Sequence, residues 1–233
     1  MSLEEPFFSQ VTVRHMTRWN RLAIIVFLSV SGQAQSPTQT PAPALVPKNA
    51  GTTASSWEYS LSVDGYLIRD DSYIQPTFTA DHRWLHLEGR YNSENFRTGS
   101  LWVGYNFNWG KKWQFAVTPM IGGVFGRTDG IAPACEASLT YKKLNLSVNN
   151  EYVFDTTSKS GNFYYSWPQL TYTPLNWLNL GLVAQHAKTF RTRLDVQRGF
   201  FVGYTHKKIG FTTYVFNAGW TDPTVVLELN ASF

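Results

Sequence analysis

The sequence predicts an all-β fold, a closed antiparallel β-barrel of about twelve strands, with ten or fourteen as alternatives. Three observations carry that prediction. From Trp57 onward the chain falls into about twelve segments of roughly 8 to 15 residues, separated by clusters of Gly, Asp, Asn, Ser and Lys. Within most segments apolar and polar residues alternate with a period of two, which puts them on opposite faces of a strand. The last segment keeps this pattern to its end: Val225, Leu227, Leu229, Ala231 and Phe233 share one face, and Thr224, Glu228, Asn230 and Ser232 the other. A segment that would otherwise fray is expected to be held as the closing staple of a barrel.

Near the N-terminus, Arg18 and Arg21 precede an apolar run from Leu22 to Val30, followed by the small or polar residues Ser31, Gly32, Gln33 and Ala34. A positive region, an apolar region and a small-residue site in that order form a secretory signal peptide, with cleavage expected after Ala34. The run is about half the ~20 residues that a membrane-spanning helix needs, which argues against a retained anchor. Glu4 and Glu5 do not suit the start of such a signal, so Met16 is the expected initiator. Residues 35–56 carry Pro37, Pro41, Pro43 and Pro47 among Thr, Ala, Gln and Ser; with no apolar face to bury, they read as a disordered linker. The expected organisation is an N-terminal extension and signal peptide at 1–34, the linker at 35–56 and a barrel at 57–233.

Strands are expected at 57–68, 73–80, 84–93, 99–109, 113–126, 132–142, 144–155, 162–173, 177–189, 193–206, 209–220 and 223–233. In the first, Trp57, Tyr59, Leu61 and Val63 alternate with Glu58, Ser60, Ser62 and Asp64. In the seventh, Leu144, Leu146, Val148 and Tyr152 alternate with Asn145, Ser147, Asn149 and Glu151, and Asn150 interrupts the apolar face. Gly122, Gly123 and Gly126 in the fifth are expected to permit a bend or bulge. An even strand number puts both ends of the barrel sequence on one side, where the turns are the shorter set. The opposite turns run slightly longer, except the last, Thr221-Asp222.

The polar face distinguishes this pattern from a soluble β-sandwich, whose water-facing side is usually rich in Lys and Glu. Here it carries Ser, Asn, Thr, Gln, Gly and aromatics with few charges. Outward parity places Trp57, Trp109, Trp113, Tyr141, Tyr172, Tyr204 and Phe233 near the short-turn end, and Phe125, Phe154, Tyr164 and Trp220 near the other. Rings with one wet end favour the two membrane–water interfaces in this way. A mean hydropathy of -0.24 is no objection, because every second residue of a transmembrane barrel faces its lumen. The signal peptide, the alternating segments and the terminal Leu229-Asn-Ala-Ser-Phe233 together resemble bacterial outer-membrane β-barrel proteins of a porin-like kind, with no specific family matched. The resemblance covers 57–233. It implies an integral outer-membrane location, contact with outer-membrane lipids, and recognition of Val225, Leu227, Leu229 and Phe233 by the barrel-assembly machinery.

The formal net charge of +4 and pI near 9.1 suggest a nucleic-acid partner at first sight. Residues 57–233 hold 16 Lys or Arg against 14 Asp or Glu, a balance of +2, so no nucleic acid is expected. Cys135, the single cysteine, excludes an intramolecular disulfide and a cysteine-built metal site. No metal-ligand spacing, phosphate-cradling glycine loop or nucleotide fingerprint occurs, and no cofactor is expected.

Lumen-side parity collects Glu58, Asp64, His86, Glu88, Arg90, Asn106, Glu136, Glu151, Asp195 and Glu228 as candidate lining residues, with Lys142, Gln185 and Gln197 beside them. His86, Glu88 and Arg90 stand at i, i+2 and i+4 on one strand face, about 6 to 7 Å apart, and read as an ion-pair ladder. Lumenal Tyr66, Trp102, Phe163, Tyr165, Trp167 and Phe201 are expected to narrow the interior. A small porin-like channel is the expected function, a structural or surface-binding barrel with a closed lumen the alternative. A lipid A or phospholipid hydrolase comes third: His186 alone has the outward position of a lipid-facing base, and Gln185-His186-Ala187-Lys188 offers no serine two residues on.

Overall fold

The computed structural model describes residues 56–68, 72–189, 195–219 and 223–233, with side chains to Ala187 and again from Val196. The signal peptide at 1–34 and all but Ser56 of the linker at 35–56 lie outside these residues, as does Trp220. The strands are β1 Glu58–Leu67, β2 Tyr73–His82, β3 Leu85–Tyr91, β4 Thr98–Tyr105, β5 Phe107–Trp109, β6 Trp113–Gly126, β7 Gly130–Tyr141, β8 Leu144–Asp155, β9 Phe163–Leu175, β10 Leu178–Thr189, β11 Asp195–His206, β12 Ile209–Phe216 and β13 Thr224–Ser232. Neighbours pair antiparallel around the ring, and β1 closes it on β13, from Ser60 opposite Ser232 to Leu67 opposite Val225. β4 and β5 are one spanning strand: both pair with β6 in a single register, Gly104 opposite Met120 and Phe107 opposite Val117. Only Asn106 interrupts it, its amide donating to the Trp84 carbonyl at 2.7 Å. The described residues therefore form the expected closed barrel of twelve spanning strands.

Closure is what permits this sheet to sit in hydrocarbon. Neighbouring strands pair their backbone amides and carbonyls all round the ring, and among the described residues no strand is left as an edge to face lipid. The outer wall is correspondingly apolar. Ile74, Leu101, Leu182 and Leu229 are all more than half exposed, at 62%, 65%, 62% and 52%, a surface that a water-soluble monomer does not sustain. At the short-turn end Trp57, Trp109, Trp113, Tyr172, Tyr204 and Phe233 form an exposed belt, with Trp113 stacked on Tyr141 at 4.2 Å between ring centroids. Phe125 and Phe154 lie exposed near the other end. Tyr164 there is only half-exposed, because its hydroxyl donates to Asn150 Oδ1 at 2.9 Å. That bond accounts for a carboxamide on the apolar face, since an unpaired one in lipid costs several kcal/mol, on the order of 4.

Several boundaries differ from expectation by two residues or more, those of β2 and β12 among them. β2 runs on through His82, so the first short turn is Arg83-Trp84, opened by Arg83 in a left-handed conformation at φ 55. β12 stops at Phe216 instead of continuing to 220. Asn217 is left-handed at φ 53, and its amide turns back to the Arg198 carbonyl at 2.9 Å. The last connection consequently begins at Asn217, and the short turn expected at Thr221-Asp222 lies outside the described residues.

Gly122 is also not at a bulge, because pairing to β4 and to β7 runs unbroken through it. Its role is clearance: a Cβ there would overlap the ring of Trp102 on the inner face. Gly122→Val is expected to destabilise the refolded barrel by about 1–3 kcal/mol in urea unfolding, the usual cost of overpacking.

Candidate functional site

The period of two that turns apolar residues outward sends their neighbours into a closed interior. The chemistry there is concentrated in a column of charge. On β3, His86, Glu88 and Arg90 point inward at 5%, 4% and 4% exposure. Arg90 donates from Nε to Glu88 Oε1 at 2.7 Å and from Nη2 to Glu88 Oε2 at 3.2 Å. Its Nη1 reaches Glu151 Oε2 on β8 at 2.8 Å, across the interior past β4, β6 and β7, and lies 3.8 Å from Glu94 Oε1. The guanidinium carbon sits 4.5 Å from the centre of the Trp102 ring. One cation thus serves three carboxylates.

Below Arg90, His86 lies between Glu88 Oε2 at 3.3 Å and Asp81 Oδ1 at 3.0 Å. Asn106 Nδ2 donates to the same Asp81 oxygen at 2.6 Å, and Thr118 Oγ1 donates to Asn106 Oδ1 at 2.7 Å. Glu136 on β7 accepts from Asn149 Nδ2 at 3.1 Å. Around the wall, at the β1–β13 seam, Asp64 stands directly opposite Glu228. Glu228 accepts from the Tyr214 hydroxyl at 2.8 Å and from Asn230 Nδ2 at 2.9 Å, all neutral donors.

Toward the end with the longer connections, the connection 92–97 folds inward. Asn92, Ser93 and Glu94 are buried, and left-handed Asn92 and Arg97 at φ 60 and 57 flank the fold. Gln75 Nε2 donates to Ser93 Oγ at 2.7 Å, and Ser100 Oγ donates to Glu94 Oε1 at 2.6 Å. Burial pushes the Glu94 carboxyl above the usual carboxylate range, against the pull of Arg90 and Ser100. The rest of this half is filled by an aromatic block. The Trp167 ring on β9 meets Tyr214 and Phe216 on β12 edge-on at 5.4 and 5.3 Å, over the intervening β10 and β11, and Phe201 packs on Tyr214 at 5.2 Å. Phe216 is completely buried.

Of the residues singled out from the sequence, Asp64, His86, Glu88, Arg90, Glu136, Glu151 and Glu228 are inside and buried. Asn106 is half-buried, and Glu58 lies exposed at the rim opposite Asp81. The Asp195 side chain is outside the described residues. Lys142, expected on the lumen side, sits in an exposed left-handed turn at φ 54. On the outside, Leu229 and Phe233 are exposed, whereas Val225 and Leu227 are partly covered. Asp81, Glu94, Tyr214 and Phe216 are among the interior residues that escaped the sequence reading. Asp81 shared the inward parity of Gln75 and Thr77, and Tyr214 and Phe216 that of Gly210, so parity held a usable signal for them. Glu94 lies in a connection where no period operates. His186 faces outward with Ser166 opposite it on β9 and Asn150 next along, a juxtaposition made by register and invisible to a search along one strand. No hydrogen bond joins His186 to Ser166, and Asn150 is engaged by Tyr164.

No protein-family model and no curated protein matches the chain. Among solved structures it is similar to the KdgM porin, with 13% identity, a TM-score of 0.57, and 75% of this chain and 99% of that one covered. The NanC porin in a rhombohedral crystal form aligns at 13% identity and a TM-score of 0.55, covering 73% of this chain and 98% of that one. The KdgM porin in complex with disordered oligogalacturonate aligns at 12% and 0.58, with 75% and 99% covered. At such identities the likeness is one of fold, and the fold is that of a porin-like transmembrane barrel.

Proposed function

We propose that the chain is an integral outer-membrane protein that acts as a narrow, porin-like channel for small solutes. The observation that supports this most is the combination of a sealed barrel with an apolar outer wall and an interior lined by charged and polar side chains. A purely structural core gains nothing from buried carboxylates, whereas a solute path needs groups that replace hydration. In this reading the block of Trp167, Tyr214 and Phe216 is the constriction, and β13 is the segment engaged by the barrel-assembly machinery. The ligand named with KdgM, an oligogalacturonate and hence a chain of sugar acids, does not transfer to this interior, where Arg90 is already shared by Glu88, Glu94 and Glu151.

Planar-bilayer recording of the refolded barrel is the test. Reproducible single-channel steps are expected, with larger conductance in Trp167→Ala, and their absence from both proteins would sink the channel reading. The second reading, a closed structural barrel, draws on the 0% and 2% exposure of Phe216 and Tyr214, and silence in both proteins would favour it. Lipid turnover by the purified barrel that disappears in His186→Ala would overturn the non-enzymatic reading.

A further inference from the structure

We infer that the interior is a cation-selective path, whose permeant class is small cations and cationic solutes and which rejects anions. The inference rests on the channel reading and names the solute class that such a channel would take. Charge is distributed very unevenly over this chain. Residues 57–233 are net basic by sequence, yet among the described residues the inward-facing cations are Arg90 and, when protonated, His86. Facing them are Glu88, Glu94 and Glu151 around the guanidinium and Asp81 and Glu136 beside the imidazole. Asp64 and Glu228 lie at the seam, where the donors to Glu228 are a phenol and a carboxamide. Even with His86 charged, carboxyl groups outnumber cations among the described inward-facing residues.

The basic residues sit elsewhere. Arg83, Lys111, Lys112, Lys142, Lys143 and Lys207 are exposed in the short turns, with Lys208 beside them. Charges on a solvated rim are screened within about 8 to 10 Å at ordinary salt, while those inside a low-dielectric wall act at full reach. The interior therefore decides which ion enters the narrow part, and the rim does not.

Two of the unsatisfied buried atoms point the same way, beside the unsatisfied hydroxyls of Tyr66 and Thr77, which can donate as well as accept. Glu94 Oε2 and Asn149 Oδ1 are buried without a hydrogen-bond partner in residues that are 2% and 3% exposed. The Asn149 oxygen can only accept, and the Glu94 oxygen accepts when its carboxyl is ionised. An acceptor of this kind is completed by a cation or by a solute N–H or O–H, and not by an anion without a proton to donate. Arg90 cannot attract a passing anion, because its Nε, Nη1 and Nη2 are all engaged by carboxylates.

The test is the reversal potential of the refolded full-length barrel in a planar bilayer under a tenfold KCl gradient. Potassium is expected to permeate over chloride by roughly fivefold or more, a difference of about 1 kcal/mol, which one unit charge near 4 Å supplies even in water. Glu136→Gln keeps the acceptor oxygen for Asn149 and removes the charge, so the ratio is expected to fall by at least about half while the barrel still folds by its heat-modifiable gel shift. Glu94→Gln serves as the second variant, with the same expectation. A silent wild-type barrel overturns the channel reading and this inference together. Steady conductance that favours chloride, or a ratio unmoved by either variant, overturns this inference alone and leaves the channel standing.

Discussion

Arg90→Ala is expected to destabilise the folded barrel by about 3–5 kcal/mol, the usual cost of leaving a buried charge without its partner. The Arg90 side chain has no exposed surface, and its removal strands the carboxylates of Glu88, Glu94 and Glu151, whose side chains are themselves buried. It also removes a cation from the face of Trp102. Urea unfolding of the refolded barrel in detergent or lipid vesicles measures the effect. Adding Glu88→Gln and Glu151→Gln to the Arg90→Ala protein is expected to recover more than half of the loss, because a carboxamide can stay buried without a cation. If Arg90→Ala unfolds within about 1 kcal/mol of wild type, Arg90 is not what compensates these buried carboxylates.

Deletion of Phe233 is expected to do the opposite: to leave stability almost unchanged and to cut the amount of barrel reaching the membrane sharply. In the finished structure Phe233 contributes a hydrogen bond from its amide to the Tyr59 carbonyl at 2.8 Å, and its ring is 62% exposed toward lipid. Losing one such bond costs about 1 kcal/mol, well within what the closed β1–β13 seam tolerates. A residue so lightly used by the fold is expected to act in assembly instead. Comparison of surface levels in cells with urea stability in vitro separates the two contributions. Normal levels of the truncated protein in cells would contradict that role.

The strands were legible in the sequence because a barrel in lipid imposes the same alternation on every spanning strand. Even the nick at Asn106 leaves the register between 98–109 and β6 intact. Errors arose where alternation ceased to be the controlling force. Parity cannot foresee that Asn217 turns left-handed and ends β12, because that is a local backbone choice at a connection. Nor can it foresee that Gly122 serves ring clearance, since the ring belongs to Trp102 on the neighbouring strand. The ladder His86, Glu88 and Arg90 was visible because it lies along one strand, whereas its continuation to Asp81, Glu94 and Glu151 crosses three other elements.

The sequence by itself determined which residues face lipid and which face inward, since a period of two leaves an extended chain between two media no other arrangement. It also determined the apolar wall and the aromatic belts that follow from that parity. Only the tertiary structure decided which inward residues meet. Closing the ring and setting the register of each pair brings residues of distant strands to a common height. Arg90 of β3 thereby lies against Glu151 of β8, and Trp167 of β9 against Phe216 of β12. Whether an inward carboxylate is paired with a cation, held by a phenol or left facing the interior depends on that height, and with it the ion that this barrel should admit.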